Sequence, residues 1–326
     1  MAEANTPQRI ADLQRAAEQG NLEAAVTLAC AYYTGDGVPE NSAKAAELFM
    51  WAAKKGHAVA QYFLGEMYEN GEGVPQSNRL ALKWYEKAAE QGDKDAQNEL
   101  GRFYLTGCGM LFPRMSRALY WFKKAAEQGQ AEAQFKYGIM LEKGLAVDAN
   151  PKEALRWYHE SAKGGLKEAQ YFLGEIYRYS EITGTDVAKA ARWYLKAAEQ
   201  GHVEAQYNIA CLYDMGQGVE QDYTKAFEWY QKSAEQGYAL SQYNLGRCYA
   251  QGLGVEADSS KALELFLEAA NQGEVHAQYA LGLYYAEGDE IDYKKAAEWY
   301  KKAADNGDAD ASREYVAVME KLRSME

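Results

Sequence analysis

Residues 205–237 read AQYNIACLYDMGQGVEQDYTKAFEWYQKSAEQG, and this stretch decides the fold. Apolar residues recur at i, i+3, i+4 and i+7 from Ala205 through Ile209 to Tyr213, and again from Asp222 through Trp229 and Tyr230 to Gly237. That is the period of a helix buried along one side; a half-buried strand would alternate every second residue. Between the two lies Gly216-Gln217-Gly218-Val219, which reads as a tight turn. Gly237 suits a left-handed residue closing the second helix, where any Cβ would be strained.

The pattern recurs along the chain. Glycines that close an Ala-Ala-Glu-Gln-Gly type of phrase fall at Gly20, Gly56, Gly92, Gly129, Gly165, Gly201, Gly237, Gly273 and Gly307, separated by 36, 36, 37, 36, 36, 36, 36 and 34 residues. The Gly-x-Gly-Val turn reappears at Gly35–Val38, Gly71–Val74 and Gly252–Val255. Each unit thus holds a first helix, A, and a second helix, B. One such pair cannot bury its own apolar face, so the units must stack.

The aligned columns describe tight packing of A against B. One helix-A column holds Leu64, Leu100, Tyr137, Leu173, Ile209, Leu245 and Leu281. The next holds Gly65, Gly101, Gly138, Gly174, Gly246 and Gly282, with Ala29 and Ala210 in two units. Because alanine is accepted there, the column demands small size for close helix approach and not a positive φ. Helix B supplies Trp84, Trp121, Trp157, Trp193, Trp229 and Trp299, and these tryptophans read as core.

The alternation A-x-A-Q-Y-x-L-G-x-x-Y, then G-x-G-V, then A-x-x-W-Y-x-K-A-A-E-Q-G resembles the Sel-1-like repeat, a relative of the tetratricopeptide repeat, over roughly residues 6–307. The resemblance implies an all-α fold: a right-handed α/α superhelix, or solenoid, of about eight 36-residue helix-turn-helix repeats with capping helices. It also implies adaptor or scaffold roles, with helix A lining a concave face. The expected organisation is a capping helix in 1–20, repeats at 21–56, 57–92, 93–129, 130–165, 166–201, 202–237, 238–273 and 274–307, and a capping helix in 308–326, all one continuous domain. Repeat three departs from the pattern at Gly107–Met115, repeat five at Arg178–Gly184 and repeat eight at Gly288–Ile291.

Charge narrows the function classes. With 48 acidic and 35 basic side chains the net charge is -13, which repels a polyanion, so nucleic acid is not the expected partner. A protein or peptide partner with a basic surface is electrostatically acceptable. No apolar run approaches the roughly 18–20 residues of a membrane-spanning helix. Met1-Ala2-Glu3-Ala4-Asn5 has neither a basic nor an apolar leader region, and Cys30, Cys108, Cys211 and Cys248 follow no regular spacing. They read as free thiols of a reducing compartment, and the cytoplasm is the expected location. A periplasmic or exported protein is the alternative, because Ala2-Glu3-Ala4 also suits a processed start.

On helix A, the column after the recurrent glutamine carries Tyr62, Phe135, Tyr171, Tyr207, Tyr243 and Tyr279. One turn later come Glu66, Arg102, Glu175 and Arg247, and beyond them Glu69, Glu142, Arg178 and Asp214. Tyrosine offers apolar area and a hydroxyl together, so the row can hold a peptide or a partner helix. Equally, the tyrosines can pack between neighbouring A helices. The Met110–Met115 loop exposes apolar residues where other repeats are polar, which marks an interface unless Phe112 folds back onto helix B.

Catalysis finds no foothold. His57, His159, His202 and His276 are scattered among repeats, without an H-E-x-x-H or C-x-x-C spacing, so no metal or cofactor is expected. The Gly-x-Gly turns link helix to helix and lack a following Lys-Ser/Thr, unlike a phosphate loop. The expected function is a non-enzymatic scaffold or adaptor that binds a protein on the helix-A face. An immunity protein that neutralises a secreted bacterial effector is the alternative, and an enzyme or small-molecule sensor a second.

Overall fold

The computed structural model describes residues 6–109, 112–179, 184–288 and 291–325, which form eighteen helices and no strand among the described residues. Helix α1 (Thr6–Glu18) precedes four A–B pairs: α2 (Leu22–Thr34) with α3 (Ser42–Lys54), α4 (Ala58–Asn70) with α5 (Asn78–Glu90), α6 (Lys94–Thr106) with α7 (Met115–Glu127), and α8 (Ala131–Lys143) with α9 (Pro151–Lys163). Four more pairs follow: α10 (Lys167–Tyr179) with α11 (Val187–Glu199), α12 (Val203–Met215) with α13 (Tyr223–Glu235), α14 (Ala239–Gln251) with α15 (Ser259–Asn271), and α16 (Val275–Glu287) with α17 (Tyr293–Asp305). Helix α18 (Ala309–Met325) closes the chain. The array divides into two compact units between Leu166 and Lys167, and within each unit consecutive helices pack as an all-α solenoid.

Six A helices, α2, α4, α6, α8, α12 and α14, end on the first glycine of the turn, as at Gly71, whose φ of 78° is left-handed and whose N–H bonds the Met67 carbonyl. The second glycine does different work. Gly73 has φ +67°, and a Cβ there would collide with the Ser42 backbone, so the turn of one repeat rests on the start of helix B in the repeat before. Helix B then starts on a capping acceptor: Asn41, Ser77, Asn150, Asp186, Asp222, Asp258 and Asp292 each take a backbone N–H of the first turn. Arg114, at the same place before α7, makes no such bond.

The helix-A glycine column is small for the reason its alanines indicate, since none of its glycines has a positive φ. A Cβ on Gly65 would lie 2.7 Å from the Tyr85 ring, and one on Gly101 2.7 Å from the Phe122 ring. This contact corrects the expected core. The aromatic seated against the column is the residue after the tryptophan, or after Leu48 and Leu265 where leucine takes its place: Phe49, Tyr85, Phe122, Tyr158, Tyr194, Tyr230, Phe266 and Tyr300 are all buried. Of the tryptophans only Trp84 is buried, while Trp121, Trp157, Trp193, Trp229 and Trp299 are half-buried. The outer faces of Trp193, Trp229 and Trp299 receive lysines one turn on, Lys232 lying 4.1 Å from the Trp229 ring centre and Lys302 3.8 Å from that of Trp299. In these five repeats the tryptophan forms the rim while its neighbour fills the seam.

Buried glutamines join one repeat to the next. Gln61 donates to the carbonyl of Ala53 at the end of α3 (3.1 Å) and accepts from Gln91 at the end of α5 (2.7 Å). Gln97 and Gln128 repeat the clasp, as do Gln206 and Gln236. A helix end that would strand a buried carbonyl is thereby satisfied.

Candidate functional site

The close A–B seam brings each helix-B tyrosine hydroxyl under the last turn of helix A. Tyr85 donates to Glu69 (3.0 Å), Tyr158 to Glu142 (2.8 Å) and Tyr194 to Glu175 (2.5 Å). Tyr230 donates toward both Asp214 (3.3 Å) and the Cys211 sulfur (3.3 Å). Burial first, and the adjacent carboxylate or thiol next, push these hydroxyls well above the ordinary tyrosine range, so they remain donors.

The same acids bond sideways to the neighbouring A helix. Arg102 bridges Glu69 and Glu99, the latter at 2.6 Å. Arg247 pairs with Asp214, and Asn208 donates to Glu175 at 2.9 Å. Burial alone would lower the Arg102 pKa, but Glu69 and Glu99 outweigh it and hold the guanidinium charged. Arg178 lies over the Tyr179 ring. The expected site residues Glu69, Arg102, Glu142, Glu175, Asp214 and Arg247 therefore belong to polar ladders within the units, half-exposed along the first-helix face.

The aromatic column is packed too. Tyr62, Phe135, Tyr171, Tyr207, Tyr243 and Tyr279 are half-buried, with ring centres 5.6–6.1 Å from the helix-B ring of their own repeat. Three also meet the start of the next A helix: Tyr171 stacks on His202 at 4.4 Å, Tyr207 meets Tyr238 at 5.4 Å and Tyr243 meets His276 at 5.8 Å. Burial and nearby carboxylates lift the Tyr171 hydroxyl to about 12. All six rings thus pack on helix B of their own repeat, and three of them also on the start of the next A helix.

Glu66 is the exception. It is half-buried on the first-helix face, yet makes no hydrogen bond or ion pair with any described residue. Burial and the fields of Glu72, Glu99 and Glu69 raise its pKa. Glu72 already accepts from Tyr33, and Arg102 is committed to Glu69 and Glu99. A carboxylate in this position lacks a cation.

Two of the histidines cap helices. The Nδ1 atoms of His57 and His202 accept the N–H groups of Ala60 (3.3 Å) and Ala205 (3.4 Å), capping α4 and α12. Among the described residues no three His, Cys, Asp or Glu side chains converge as a metal site would require. The cysteines are free, and burial raises their pKa values, that of Cys248 to about 11. In the repeat-three loop, Met110 and Leu111 lie outside the described residues, and Phe112 points into solvent, 75% exposed, instead of folding back.

The tyrosine–acid bond carried a signal in the sequence. Where helix B has tyrosine at 85, 158 and 230, helix A has Glu69, Glu142 and Asp214 sixteen residues earlier. Where it has Phe49 or Phe266, that place holds Tyr33 or Ala250. In these five repeats a hydroxyl is present where that place holds an acid and absent where it does not.

Comparison with known proteins agrees with this architecture. A family model described as Sel1 repeat matches residues 22–57, 58–93, 94–130, 131–166, 167–202, 203–238, 239–274 and 275–308. The crystal structure of a protective antigen of uropathogenic Escherichia coli displaying an SLR fold is similar, with a TM-score of 0.89 and 34% identity, covering 96% of this chain and 68% of that one. A Sel1 repeat protein from Oxalobacter formigenes has a TM-score of 0.66 and 30% identity, covering 77% of this chain and 100% of that one. No curated protein matches. With eight phased matches and these two relatives, the chain belongs to the Sel1 repeat family.

Proposed function

We propose that this chain is a non-enzymatic adaptor that holds a basic segment of another protein against the first-helix face of its N-terminal unit, around Glu66. Sel1 repeat solenoids are generally protein-interaction scaffolds, which sets the class. The observation that carries the specific reading is the unpaired, half-buried Glu66 among Glu69, Glu72 and Glu99. An incoming Lys or Arg would relieve the repulsion there, in a partly desolvated place where a charge pair counts for more than on open surface. The ladders on either side hold their side chains in fixed rotamers, so little ordering entropy remains to be lost on binding.

The test is affinity capture with the full chain and with Glu66→Lys, read by mass spectrometry, thermal unfolding of both being recorded alongside. A stoichiometric partner held by the parent and lost with the equally stable variant supports the reading. A partner held equally by both contradicts it.

A further inference from the structure

The start of α7 breaks a rule that the other repeats keep. In four repeats helix B opens with an aspartate cap and a lysine three residues on, and the two pair: Asp186 with Lys189 (3.0 Å), Asp222 with Lys225 (3.0 Å), Asp258 with Lys261 (3.4 Å) and Asp292 with Lys295 (3.6 Å). In repeat three both positions are arginine. Arg114 caps nothing, and Arg117 has turned to the Tyr104 hydroxyl at 2.8 Å. Stability at this helix start has been given up, with a cation placed where the helix dipole disfavours one.

The surroundings are of one kind. Gly109 rests on the Asn78 carbonyl at the start of α5, and the Tyr104 hydroxyl donates a hydrogen bond to Glu86 of α5 at 2.7 Å. Helix α5, the turn and the start of α7 therefore share one surface. On it lies a cleft of about 590 Å3 lined by Arg79, Leu80, Lys83 and Glu86. Arg79, Lys83 and Arg114 are exposed, and their side chains have no hydrogen bond or ion pair with any described residue. Beside them Phe112, Met115 and Leu80 are 75%, 38% and 38% exposed. Arg79 and Lys83 line the cleft, and Arg114 follows the exposed Phe112 by two residues, so three side-chain cations without a partner meet at this surface on a chain of net charge -13.

We infer that this surface docks an acidic, apolar-centred segment of a partner protein, its carboxylates meeting Arg79, Lys83 and Arg114 and its apolar side chain meeting Phe112. Charge complementarity selects the occupant: a basic segment would be repelled, and a neutral apolar one would leave the cations unpaired. Glu66 belongs to α4 and is not among the residues lining this cleft, so the two binding modes can be tested separately.

The experiment measures fluorescence anisotropy of short labelled synthetic peptides, in which glutamates and aspartates flank a leucine and a phenylalanine, against the full chain. The expected result is saturable binding that weakens with added salt. Combining Arg79→Glu with Arg114→Asp should weaken it about tenfold or more. Arg114→Asp alone should raise the unfolding temperature, because it restores the cap and its pairing with residue 117. Phe112→Ser should weaken binding without changing that temperature, and Glu66→Lys should leave binding unchanged. The proposal is overturned by absent binding, by equal affinity for the charge-reversed variant, or by equal binding of tripolyphosphate, which would show a general anion surface. Concentration-dependent self-association lost on charge reversal would also overturn it, making a second copy the occupant.

Discussion

The Tyr85 hydroxyl donates to the Glu69 carboxylate at 3.0 Å across the helix seam of the second repeat. That bond ties the core to the first-helix face: Tyr85 is buried against Gly65, while Glu69 reaches out to Arg102 on the next A helix. Tyr300 sits at the same place in the last repeat, but its hydroxyl is buried without a partner among the described residues. Tyr85→Phe should therefore cost about 1–2 kcal/mol, since it removes a bond to a charged acceptor. Tyr300→Phe should be neutral or stabilising, since it removes an orphaned group. Urea unfolding of the two variants checks the difference, and equal losses would mean that the hydroxyls act alike regardless of their acceptors.

Gly174 tests the seam itself. A Cβ there would press on the Tyr194 ring. Alanine should be tolerated at modest cost, as Ala29 and Ala210 show in the equivalent places, whereas Gly174→Leu should destabilise strongly by forcing α10 and α11 apart. Thermal unfolding of the leucine variant close to that of the parent would contradict the packing described.

The revised core has a quantitative consequence. Tyr194→Ala empties a fully buried position and should cost about 3–5 kcal/mol. Trp193→Ala removes a half-buried rim residue whose outer face carries Lys196, and should cost clearly less despite the larger side chain. Equilibrium denaturation ranks the pair.

His202 introduces a pH dependence. Its Nδ1 must be unprotonated to accept from Ala205, and burial lowers its pKa despite the opposing pull of Glu204. The unfolded chain therefore takes up the proton first. The contribution is fully present above the ordinary histidine value of about 6.5 and is lost as the pH falls below it toward the lowered folded value. Unfolding temperature should decline from pH 7 toward about pH 5, and His202→Asn, which keeps a cap without titrating, should flatten that decline.

Much of this fold was legible because it is periodic: the spacing of Gly20 through Gly307 places every helix pair, and the alanines at 29 and 210 explain the glycine column before any coordinate is seen. The tryptophans misled because size and hydrophobicity cannot say which of two adjacent helical residues faces the seam. On the first-helix face, residue type placed Glu66, Glu69, Glu175 and Asp214 together but could not separate the acids bonded within a ladder from the one left unpaired. That distinction depends on contacts between repeats, about thirty-three residues apart in the case of Arg102 with Glu69.

The most direct test of recognition on the first-helix face is a titration of the captured partner against the parent chain, Glu66→Lys and a control reversal on helix B, Glu264→Lys. The expected result is an affinity reduced about tenfold or more for Glu66→Lys and unchanged for Glu264→Lys, all three proteins unfolding at the same temperature. Unchanged affinity for Glu66→Lys, or equal losses for both reversals, would contradict it and place recognition elsewhere on the chain.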